Sequence, residues 1–472
     1  MEIKRISFIE ARSPHAYIFR RHPIPRVGAI LLATILKGMG YEVRVFVEDV
    51  SAIDWNYVER SDLVGISTIT STAARAYEIG DRLMRLGIPV VTGGAHPTFM
   101  AEEALLHADY VVRGEGETPL AMLLSYLEKG APALSSINGL SYRDYPADMD
   151  YRKRTGGGEP GGSVRHNPPS ESLKNLGALP SPDFGIVHGW RNSNIHPVST
   201  TRGCAFNCRF CLVGGMFGRR YRYRPEEAVV EELRRITAVS RSPVFFVDDN
   251  FAANLRRTKN ILRGIASLPR KPWWSAMTRP DVARDEELLA LMAASGRVTL
   301  CIGFESINPD TLKAYNKKQD VADNVHAMRA LKAHGIKVHG MFVFGADTDT
   351  VDTIRRTVDF AAEAGIDSVQ FMNLTPLPGT RLFDEFKQAG RLLHTDWDKY
   401  DIHHVVFTPF AMSAETLHME TLLAMQKFYS WSYVARNLIE GEFFYAAFGV
   451  YSKNSVRRAI SEGRRDFRKM RT

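Results

Sequence analysis

The stretch TRGCAFNCRFC, Thr201–Cys211, places three of the chain's four cysteines within eight positions. The spacing is Cys204-x3-Cys208-x2-Cys211, directly after the strand-like run HPVSTT. A closed zinc site needs four ligands, whereas three thiolates on one loop suit one corner of a polynuclear site. The fourth cysteine, Cys301, lies in the apolar run VTLCIGF and is expected to be a small buried side chain. The trio therefore predicts an iron–sulfur cluster with one iron open for a small ligand.

The composition of the 472-residue chain is that of a folded protein with more than one domain. Apolar residues make up 44% and charged residues 24%, a normal balance for a globular protein, and the length exceeds what one core usually supports. Clustered cysteines, with an N-terminus (MEIKRISFIEAR) that lacks the apolar run of a signal peptide, indicate a reducing compartment. No stretch reaches the ~18 consecutive apolar residues of a membrane span. We therefore expect a cytoplasmic protein of two or three domains.

The order of apolar and amphipathic segments predicts an α/β chain with four regions. In residues 1–130, short apolar runs flanked by glycine alternate with helix-period segments, which is typical of a doubly wound, Rossmann-like domain. Residues 131–195 contain TGGGEPGG and NPPSE and are predicted to be a linker with short strands. Residues 196–385 hold about six further strand–helix repeats, which predict a partial (β/α) barrel with its chemistry at the carboxyl ends of the strands. Residues 386–472 are predicted to be helical, aromatic and basic.

The cysteine loop resembles that of the radical S-adenosylmethionine (radical SAM) enzymes. CAFNCRFC matches the CxxxCxxC motif of that family, including the aromatic Phe210 before the last cysteine. The resemblance implies a [4Fe–4S] cluster on Cys204, Cys208 and Cys211, whose open iron binds the amine and carboxylate of S-adenosylmethionine. An electron from the cluster then cleaves this molecule to methionine and a 5′-deoxyadenosyl radical. A zinc site is the alternative, and the missing fourth ligand speaks against it.

Further segments of the predicted barrel resemble the S-adenosylmethionine-binding parts of the family. FFVDDNF is similar to the end of the second strand and implies cofactor contacts for Asp249 and Asn250, although a GGE-like pattern is more common there. CIGFES is similar to the fourth strand, where Glu305 would accept hydrogen bonds from the ribose hydroxyls. Arg279, after WWSAM, is a candidate for the methionine carboxylate, with a structural salt bridge as an equal alternative. Phe210 completes the predicted set.

The loops of the N-terminal region resemble a cobalamin-binding domain. Glycines, which allow close backbone approach, and hydroxyls, which can donate hydrogen bonds, follow predicted strands in VGISTIT, VVTGGAHPT and VVRGEGE. In this order, upstream of the cysteine motif, they are similar to the cobalamin domain of the cobalamin-dependent radical SAM class. The resemblance implies cobalamin contacts from Ser67, Thr68, Thr70, Gly93, Gly94, His96, Gly114, Glu115 and Gly116.

The DxHxxG motif, which supplies a histidine to cobalt in many cobalamin domains, is absent. Its position after the first strand holds EARSPHAYIFRRHPIPR, in which His15 and His22 lack the context of that motif. Members of this class frequently lack the motif, so the resemblance implies cobalamin bound without a protein ligand. A cobalamin domain retained only as a scaffold is the alternative.

The C-terminal region combines aromatic and basic residues. Residues 428–451 carry nine aromatics, and residues 453–472 carry eight Lys or Arg against two acids, which is most of the chain's net charge of +8. Such a segment suits an interfacial helix on lipid, or equally a helix packed on an apolar core. Similar tails occur in class members that act on hopanoids and porphyrin-type macrocycles. This resemblance implies a large apolar substrate and makes the region a candidate for peripheral membrane contact.

Together these features predict a cobalamin-dependent radical SAM C-methyltransferase that acts on an unactivated carbon of a lipid, isoprenoid or macrocycle. The resemblance implies that one S-adenosylmethionine methylates cobalamin and that a second gives the radical that removes hydrogen from the substrate. The expected partners are this substrate and an electron donor such as flavodoxin or ferredoxin. Nucleic acid is not expected, because methylthiolation would need a second cysteine trio. The alternatives are cyclisation, oxidation or carbon–carbon coupling with a non-catalytic N-terminal domain, and a corrinoid or iron–sulfur sensor without turnover.

Overall fold

The computed structural model describes residues 2–15, 24–144 and 162–471. The described strands are β1 (Arg5–Glu10), β2 (Glu42–Val47), β3 (Leu63–Ser67), β4 (Val90–Gly93), β5 (Tyr110–Val112), β6 (Leu140–Asp144), β7 (Ser163–His166), β8 (His196–Val198), β9 (Thr201–Arg202), β10 (Arg222–Tyr223), β11 (Val244–Phe246), β12 (Trp273–Thr278), β13 (Arg297–Glu305), β14 (Lys337–Phe344) and β15 (Ser368–Asn373). The described helices are α1 (Val27–Gly38), α2 (Trp55–Val58), α3 (Ala73–Arg85), α4 (Ala95–Phe99), α5 (Ala101–Ala104), α6 (Glu117–Lys129), α7 (Val213–Phe217), α8 (Glu226–Val239), α9 (Leu255–Ala266), α10 (Glu286–Ala294), α11 (Pro309–Ala314), α12 (Val321–Ala333), α13 (Val351–Glu363), α14 (Arg381–Gln388), α15 (Ala414–Phe428), α16 (Trp431–Ile439) and α17 (Phe443–Arg471).

The N-terminal sheet of the described residues has seven strands in the order β2-β1-β3-β4-β5-β6-β7. Strands β1 to β5 are parallel, and β6 and β7 extend the sheet with antiparallel pairing. The order 2-1-3-4-5 creates a topological switch point between β1 and β3, and a doubly wound sheet binds its ligand outside the strands' carboxyl ends at such a point. The α/β prediction is confirmed, and the sheet continues past residue 130.

Helices cover both faces of this sheet, which explains why its central strands are hydrophobic. Five of the six residues of β1, RISFIE, are buried, as expected for a parallel strand between two helical layers. Successive side chains alternate between the layers: Phe8 packs with Ile30 of α1 and Leu123 of α6, whereas Ile9 packs with Ile79 of α3. The sheet is therefore a rigid base for the loops at its carboxyl edge.

Six parallel strands in the order β8-β11-β12-β13-β14-β15 form the second sheet of the described residues. Helices α8, α9, α10, α12 and α13 cover one face, in a core that includes Leu233, Ile261 and Leu300. Side-chain caps begin α9, α10, α12 and α13; for example, Asn254 accepts a hydrogen bond from the Arg257 N–H at 3.1 Å. The predicted strand–helix repeats thus form an open, partial barrel. The predicted domain boundaries stay predictions.

Aromatic residues of the C-terminal helices pack against the open edge of this sheet. The Tyr429 hydroxyl donates a hydrogen bond to the carbonyl of Val369 (2.8 Å) and accepts one from its N–H (2.9 Å), which pairs backbone groups at the free edge of β15. Tyr433 donates to the carbonyl of Asp367 at 2.5 Å, and Tyr445 is buried in the same core. The packing interpretation therefore accounts for much of the aromatic content of this region.

Other apolar side chains are exposed: Leu438, Ile439, Phe443 and Phe444 at the corner between α16 and α17, and Trp431 at the start of α16. Among the described residues, no helix is both long enough and apolar enough to cross a membrane. Peripheral membrane contact through this corner stays a prediction.

Candidate active site

The clustered cysteines lie on the loop between β9 and α7, at the carboxyl end of the first barrel strand β8. The chain enters this loop through Gly203, whose φ is +85° and where a Cβ would lie 2.4 Å from the carbonyl oxygen of Arg220. Only glycine fits a turn with this conformation and this close approach. Strands β9 and β10 pair on either side of the loop and hold its ends together. The fold therefore places the three thiols where a partial barrel carries its chemistry.

The donor set of this loop suits a polynuclear cluster. In the described part of the chain, no three His, Cys, Asp or Glu side chains are arranged around a single metal ion. A [4Fe–4S] cluster takes one thiolate per iron, so its thiols need not converge on one point. Burial raises the pKa of the Cys208 thiol, so cluster assembly must release its proton. Three thiols on one loop fit such a cluster with one open iron.

A buried carboxylate holds the segment that leads into the cysteine loop. Asp248, two residues after β11, accepts hydrogen bonds from the N–H groups of Thr200 (2.6 Å) and Thr201 (2.9 Å) and from the Thr200 hydroxyl (2.5 Å). Arg257 on α9 donates to the same hydroxyl (3.1 Å) and to the carbonyl of Arg224 (2.9 Å). This network joins β11 and α9 to the start of the loop.

The predicted S-adenosylmethionine contacts Asp249 and Asn250 both lie next to the loop. Asp249 interacts electrostatically with Cys211, and desolvation together with the Asp248 carboxylate raises the pKa of Asp249 to about 7. Asn250 is buried and forms a hydrogen bond with the hydroxyl of Tyr221. Their contact with S-adenosylmethionine stays a prediction.

Glu305 ends β13 with a φ of +62°, a strained conformation for a residue with a side chain. Its buried carboxylate forms an ion pair of 2.5 Å with Lys317, and Asn316 and Lys318 on either side of that lysine also have positive φ. The Cys208 thiol interacts electrostatically with both members of the pair. Strain of this kind persists where the surrounding structure enforces it, and it is frequent at functional sites. The structure thus brings Glu305 to the cysteine loop, together with a lysine that no motif had indicated.

Arg279 links this strained segment to the cysteine loop. Its Nη2 donates to the carbonyls of Lys317 (3.0 Å) and Lys318 (2.9 Å), and its guanidinium lies over the Phe206 ring at 3.9 Å. Arg279 also forms a salt bridge, the alternative role considered for it above: its Nε lies 3.5 Å from a carboxylate oxygen of Asp281. Binding of the methionine carboxylate stays a prediction for this residue.

The segment around α11 also braces the cysteine loop directly. The Phe210 ring packs edge-on against Tyr315 with 5.1 Å between ring centroids, and the Arg209 N–H donates to the Tyr315 carbonyl at 3.2 Å. Asn316 donates its side-chain amide to the carbonyl of Asn207 at 2.9 Å. Phe210 therefore has a packing role in the loop, and its predicted contact with S-adenosylmethionine stays a prediction.

A cavity of about 430 Å³ lies between the carboxyl edge of the first sheet and the cysteine loop. On the barrel side its lining includes Met216, Phe217 and Asp249, close to the last cysteine. On the other side it includes most of the predicted cobalamin residues: Ser67, Thr68, Gly93, Gly94, Gly114, Glu115 and Gly116. Groups bound at the switch point and at the cysteine loop would therefore be neighbours across this cavity.

Gly94 allows the loop after β4 to pass close to the end of β3. Its φ is +106°, and a Cβ at this position would lie 2.4 Å from the carbonyl oxygen of Thr68. Thr68 is itself buried and shares a 2.7 Å hydrogen bond with the Thr72 hydroxyl. A glycine cradle of this kind at the switch point fits a corrinoid that approaches the backbone closely.

Glu115 joins the two walls of the cavity. Its carboxylate accepts hydrogen bonds from Arg202 (3.0 Å), Arg222 (2.7 Å) and the Leu173 N–H (2.8 Å). Glu117 binds Arg202 as well, at 2.5 Å, and all four charged side chains are at most 15% exposed. Because the arginines lie in β9 and β10, which flank the cysteine loop, these ion pairs fix the loop against the first sheet. A direct contact of Glu115 with cobalamin stays a prediction.

The structure does not bring Thr70 and His96 to the other predicted cobalamin residues. Both are buried, and neither lines the cavity. The His96 Nε2 lies 3.0 Å from the Tyr77 hydroxyl, and its ring contacts Trp397 of the C-terminal region at a centroid distance of 5.1 Å. His96 thus takes part in packing between the first sheet and the C-terminal region.

The loop after β1 contains the two histidines that lack a motif context. His15 packs against His404, with 4.7 Å between ring centroids. His22 lies outside the described residues. Cobalamin binding without a protein ligand to cobalt stays a prediction.

Replacing Arg202 with methionine should lower the free energy of unfolding by about 3–5 kcal/mol, because it leaves Glu117, whose side chain is only 10% exposed, without its cation. Thermal and urea unfolding of the purified chain measure this loss. A matched control is Arg234→Met, which removes an ion pair to Glu231 whose side chains are half exposed; it should cost about 0–1 kcal/mol. Equal effects of both substitutions would contradict a stabilising role for the buried network.

Sequence reasoning missed four residues that shape the site: Asp248, Lys317, Arg202 and Arg222. Asp248 directly precedes Asp249 and Asn250, which were predicted to contact S-adenosylmethionine. Its structural role is evident only from its hydrogen bonds to the N–H groups of Thr200 and Thr201. Lys317 belongs to no motif and reaches Glu305 through a turn of unusual backbone conformation. The alternation of arginine and tyrosine in GRRYRYRP was the one available signal for Arg222, since a short strand places every second side chain on the same face.

Comparisons with known proteins agree with this geometry. The B12 binding domain family matches residues 20–124, and the Radical SAM superfamily matches residues 198–361. The chain is 32% identical over 374 residues to the bacteriochlorophyllide d C-12(1)-methyltransferase of Chlorobaculum tepidum, which covers 78% of this chain and 74% of that enzyme. It is 29% identical over 360 residues to the anaerobic magnesium-protoporphyrin IX monomethyl ester cyclase of Cereibacter sphaeroides, which covers 72% of this chain and 55% of that enzyme.

A solved structure has the same arrangement of elements. The cobalamin-dependent S-adenosylmethionine radical enzyme OxsB, with aqua-cobalamin and S-adenosylmethionine bound, matches with a TM-score of 0.72 at 17% identity, over 96% of this chain and 72% of that chain. At that identity the likeness concerns the fold. The family resemblance inferred from the motifs is confirmed by the domain matches and by the methyltransferase relative. The chain therefore belongs to the cobalamin-dependent radical SAM methyltransferase family, and it is an enzyme whose cofactors are a [4Fe–4S] cluster, S-adenosylmethionine and cobalamin.

Proposed function

We propose that this enzyme transfers a methyl group to an unactivated carbon of a large apolar substrate, with a tetrapyrrole macrocycle as the first candidate. The observation that carries the proposal is the cavity of about 430 Å³, because the predicted cobalamin loops line it together with β9 and α7, the two elements on either side of the cysteine loop. A methyl donor and a radical source would be adjacent there. The macrocycle is supported by two relatives, whose names specify bacteriochlorophyllide d and magnesium-protoporphyrin IX monomethyl ester.

Different residues of the chain would bind the cluster, S-adenosylmethionine and cobalamin. When bound, the cluster and S-adenosylmethionine supply the hydrogen-abstracting radical, and cobalamin supplies the methyl group. Cys204, Cys208 and Cys211 would hold the cluster. Glu305 lies near Cys208, where its carboxylate could orient the ribose hydroxyls, and the glycine cradle at Gly94 would seat the corrinoid.

The inner face of the second sheet offers a surface for such a substrate. Register pairs Met277, Cys301, His339 and Ser368 in one row across β12, β13, β14 and β15, on the side opposite the fully buried Leu300. Desolvation lowers the pKa of His339 to about 4, so its ring is neutral at physiological pH. A row of neutral, polarizable side chains suits a broad apolar ring system, because methionine adapts its shape to irregular surfaces.

The decisive experiment follows a labelled methyl group. Protein produced anaerobically with cobalamin, and reconstituted with iron and sulfide, is incubated with a reductant, methyl-deuterated S-adenosylmethionine and bacteriochlorophyllide d. We expect the macrocycle to gain one deuterated methyl group while S-adenosylhomocysteine and 5′-deoxyadenosine both accumulate. Mass spectrometry of the pigment and of the nucleosides measures all three products.

The cyclase relative favours ring formation on a tetrapyrrole as a second candidate. In that case, magnesium-protoporphyrin IX monomethyl ester would be the better substrate in the same assay. Its product would carry no deuterium, and 5′-deoxyadenosine would form without S-adenosylhomocysteine. That outcome would replace methyl transfer as the proposed function.

A further inference from the structure

A tyrosine hydroxyl forms a hydrogen bond with the first cysteine of the cysteine loop. The hydroxyl oxygen of Tyr221 lies 3.4 Å from the Sγ of Cys204. Strand pairing brings the two residues together, because Tyr221 directly precedes β10, which pairs antiparallel with β9, the strand that leads into the cysteine loop. The contact is therefore set by the two strands that hold the ends of this loop together.

The hydroxyl of Tyr221 is the donor of this hydrogen bond. The side-chain amide of Asn250 and the backbone N–H of Ala205 both donate toward the hydroxyl oxygen, which leaves its hydrogen for the sulfur. Burial and the hydrogen bond to Cys204 raise the pKa of Tyr221 above its ordinary value, so the hydroxyl keeps its proton at neutral pH. A cysteine that binds iron is a thiolate without a proton of its own, so Cys204 can only accept.

Neighbouring side chains hold the Tyr221 ring in this position. The ring stacks on Tyr223 with 6.1 Å between ring centroids and 24° between ring planes, which is within the range of favourable aromatic pairs. Tyr223 in turn lies 5.1 Å from the guanidinium carbon of Arg257. Arg222, between the two tyrosines, donates a hydrogen bond of 2.7 Å to the buried Glu115. This strand is thus anchored at successive residues, so the hydroxyl is held beside the sulfur.

We propose that Tyr221 donates a hydrogen bond to Cys204 in the assembled cluster and thereby raises the reduction potential of that cluster. Reduction adds negative charge, and a hydrogen bond to a thiolate sulfur strengthens as the charge on its acceptor grows. An interaction that favours the reduced state raises the potential, and hydrogen bonds to the sulfurs are among the features that set it. Tyr221 acts through Cys204 and is in this role a positioning residue. The inference rests on the proposed assignment of Cys204 as a cluster ligand.

The step that this hydrogen bond favours adds one electron to the cluster, which passes from the 2+ to the 1+ state. No covalent bond forms or breaks, and Tyr221 keeps its proton and its electrons in both states. In the test below the electron comes from dithionite, which is oxidised as the cluster is reduced. The natural electron donor, such as a flavodoxin or ferredoxin, stays a prediction.

The test compares Tyr221→Phe with Tyr223→Phe. Both substitutions remove one hydroxyl and keep both stacked rings, but the hydroxyl of Tyr223 interacts with Asn254 and not with a cysteine. Each protein is reconstituted with iron and sulfide, and electron paramagnetic resonance measures the reduced cluster at solution potentials set with dithionite. In Tyr221→Phe we expect the ratio of reduced to oxidised cluster at a fixed potential to fall about tenfold, which is ~59 mV for one electron. Tyr223→Phe should change this ratio less than about twofold.

An unchanged potential in Tyr221→Phe would overturn the inference, as would an equal shift in Tyr223→Phe, because the effect would then come from the packing of the pair. A second variant, Tyr221→3-fluorotyrosine, covers the case in which Tyr221→Phe assembles no cluster. It keeps the ring and the hydroxyl, but its more acidic proton makes a stronger hydrogen bond, so the potential should rise; an unchanged or lower potential would contradict the proposed role. Neither measurement uses the methyl acceptor, so failure here is distinguishable from failure of the proposed methyl transfer.

Discussion

Replacing Cys208 with alanine should abolish both the iron–sulfur absorption and the formation of 5′-deoxyadenosine. The loop offers three thiols, and with one removed, two irons of the cluster would lack protein ligands. Cys208 lies among Glu305, Lys317 and Arg279, so its loss also removes the cluster from the groups predicted to orient S-adenosylmethionine. Absorption spectra, iron and sulfide content after anaerobic reconstitution, and nucleoside chromatography measure the effect.

The matched control is Cys301→Ala on β13. This thiol lies in the middle of a strand, where desolvation raises its pKa to about 12, so it is a poor source of thiolate. We expect the control to keep its iron–sulfur absorption and its iron and sulfide content, and the comparison with Cys208→Ala is made on these measurements because Cys301 belongs to the row proposed to face the substrate. If Cys208→Ala kept full activity instead, the assignment of the cysteine loop as the cluster site would be wrong.

The succession of strands and helices along the chain and the place of the cysteine loop after a strand could be predicted from the sequence, because both depend on local pattern. Runs such as RISFIE and VTLCIGFE are buried in the expected strands β1 and β13. Helix α13, Val351–Glu363, is an example: it begins directly after Thr350, whose side chain accepts a hydrogen bond from the Thr353 N–H. Caps, turn glycines and apolar period act within a few residues, so they leave a signal in the sequence.

The contacts that shape the site depend on distant parts of the chain and leave no such signal. Arg202 meets Glu115 and Glu117 only because two separately wound sheets face each other across the cavity. Lys317 reaches Glu305 only because the residues on either side of it adopt a left-handed backbone. No periodicity or spacing encodes either approach, so these partners had to be seen in the structure.

His96 was predicted to contact cobalamin because it follows Gly93 and Gly94 in the sequence, but a short helix places it elsewhere. Helix α4 begins at Ala95, directly after the glycines of the loop, and it carries His96 to Tyr77 and away from the cavity. The glycines Gly93 and Gly94 stay at the cavity because they precede the helix. The position of a loop residue relative to the first helical turn therefore decides whether it can reach a ligand at the strand ends.

Replacing Gly94 with alanine should reduce the corrinoid content of the purified protein at least about tenfold while the cluster is retained. A positive φ alone costs a side chain about 1–3 kcal/mol. The added Cβ would also lie 2.4 Å from the Thr68 carbonyl oxygen, so either the loop after β4 or the end of β3 must move. Both segments line the cavity, and their movement would alter the floor on which the corrinoid is expected to lie. Mass spectrometry of the extracted cofactor and iron analysis of the same sample measure the two outcomes.

Gly40→Ala in the same domain is the control that separates the steric clash with Thr68 from the cost of the positive φ. Gly40 has a φ of +100°, close to the +106° of Gly94, but a Cβ there would meet no atom within 4 Å. Both alanines therefore carry similar backbone strain, and only the one at position 94 displaces a neighbour. We expect Gly40→Ala to be slightly less stable and to bind cobalamin normally. Normal corrinoid content in Gly94→Ala would mean that the corrinoid does not depend on this cradle, and the cavity would then have to hold another ligand.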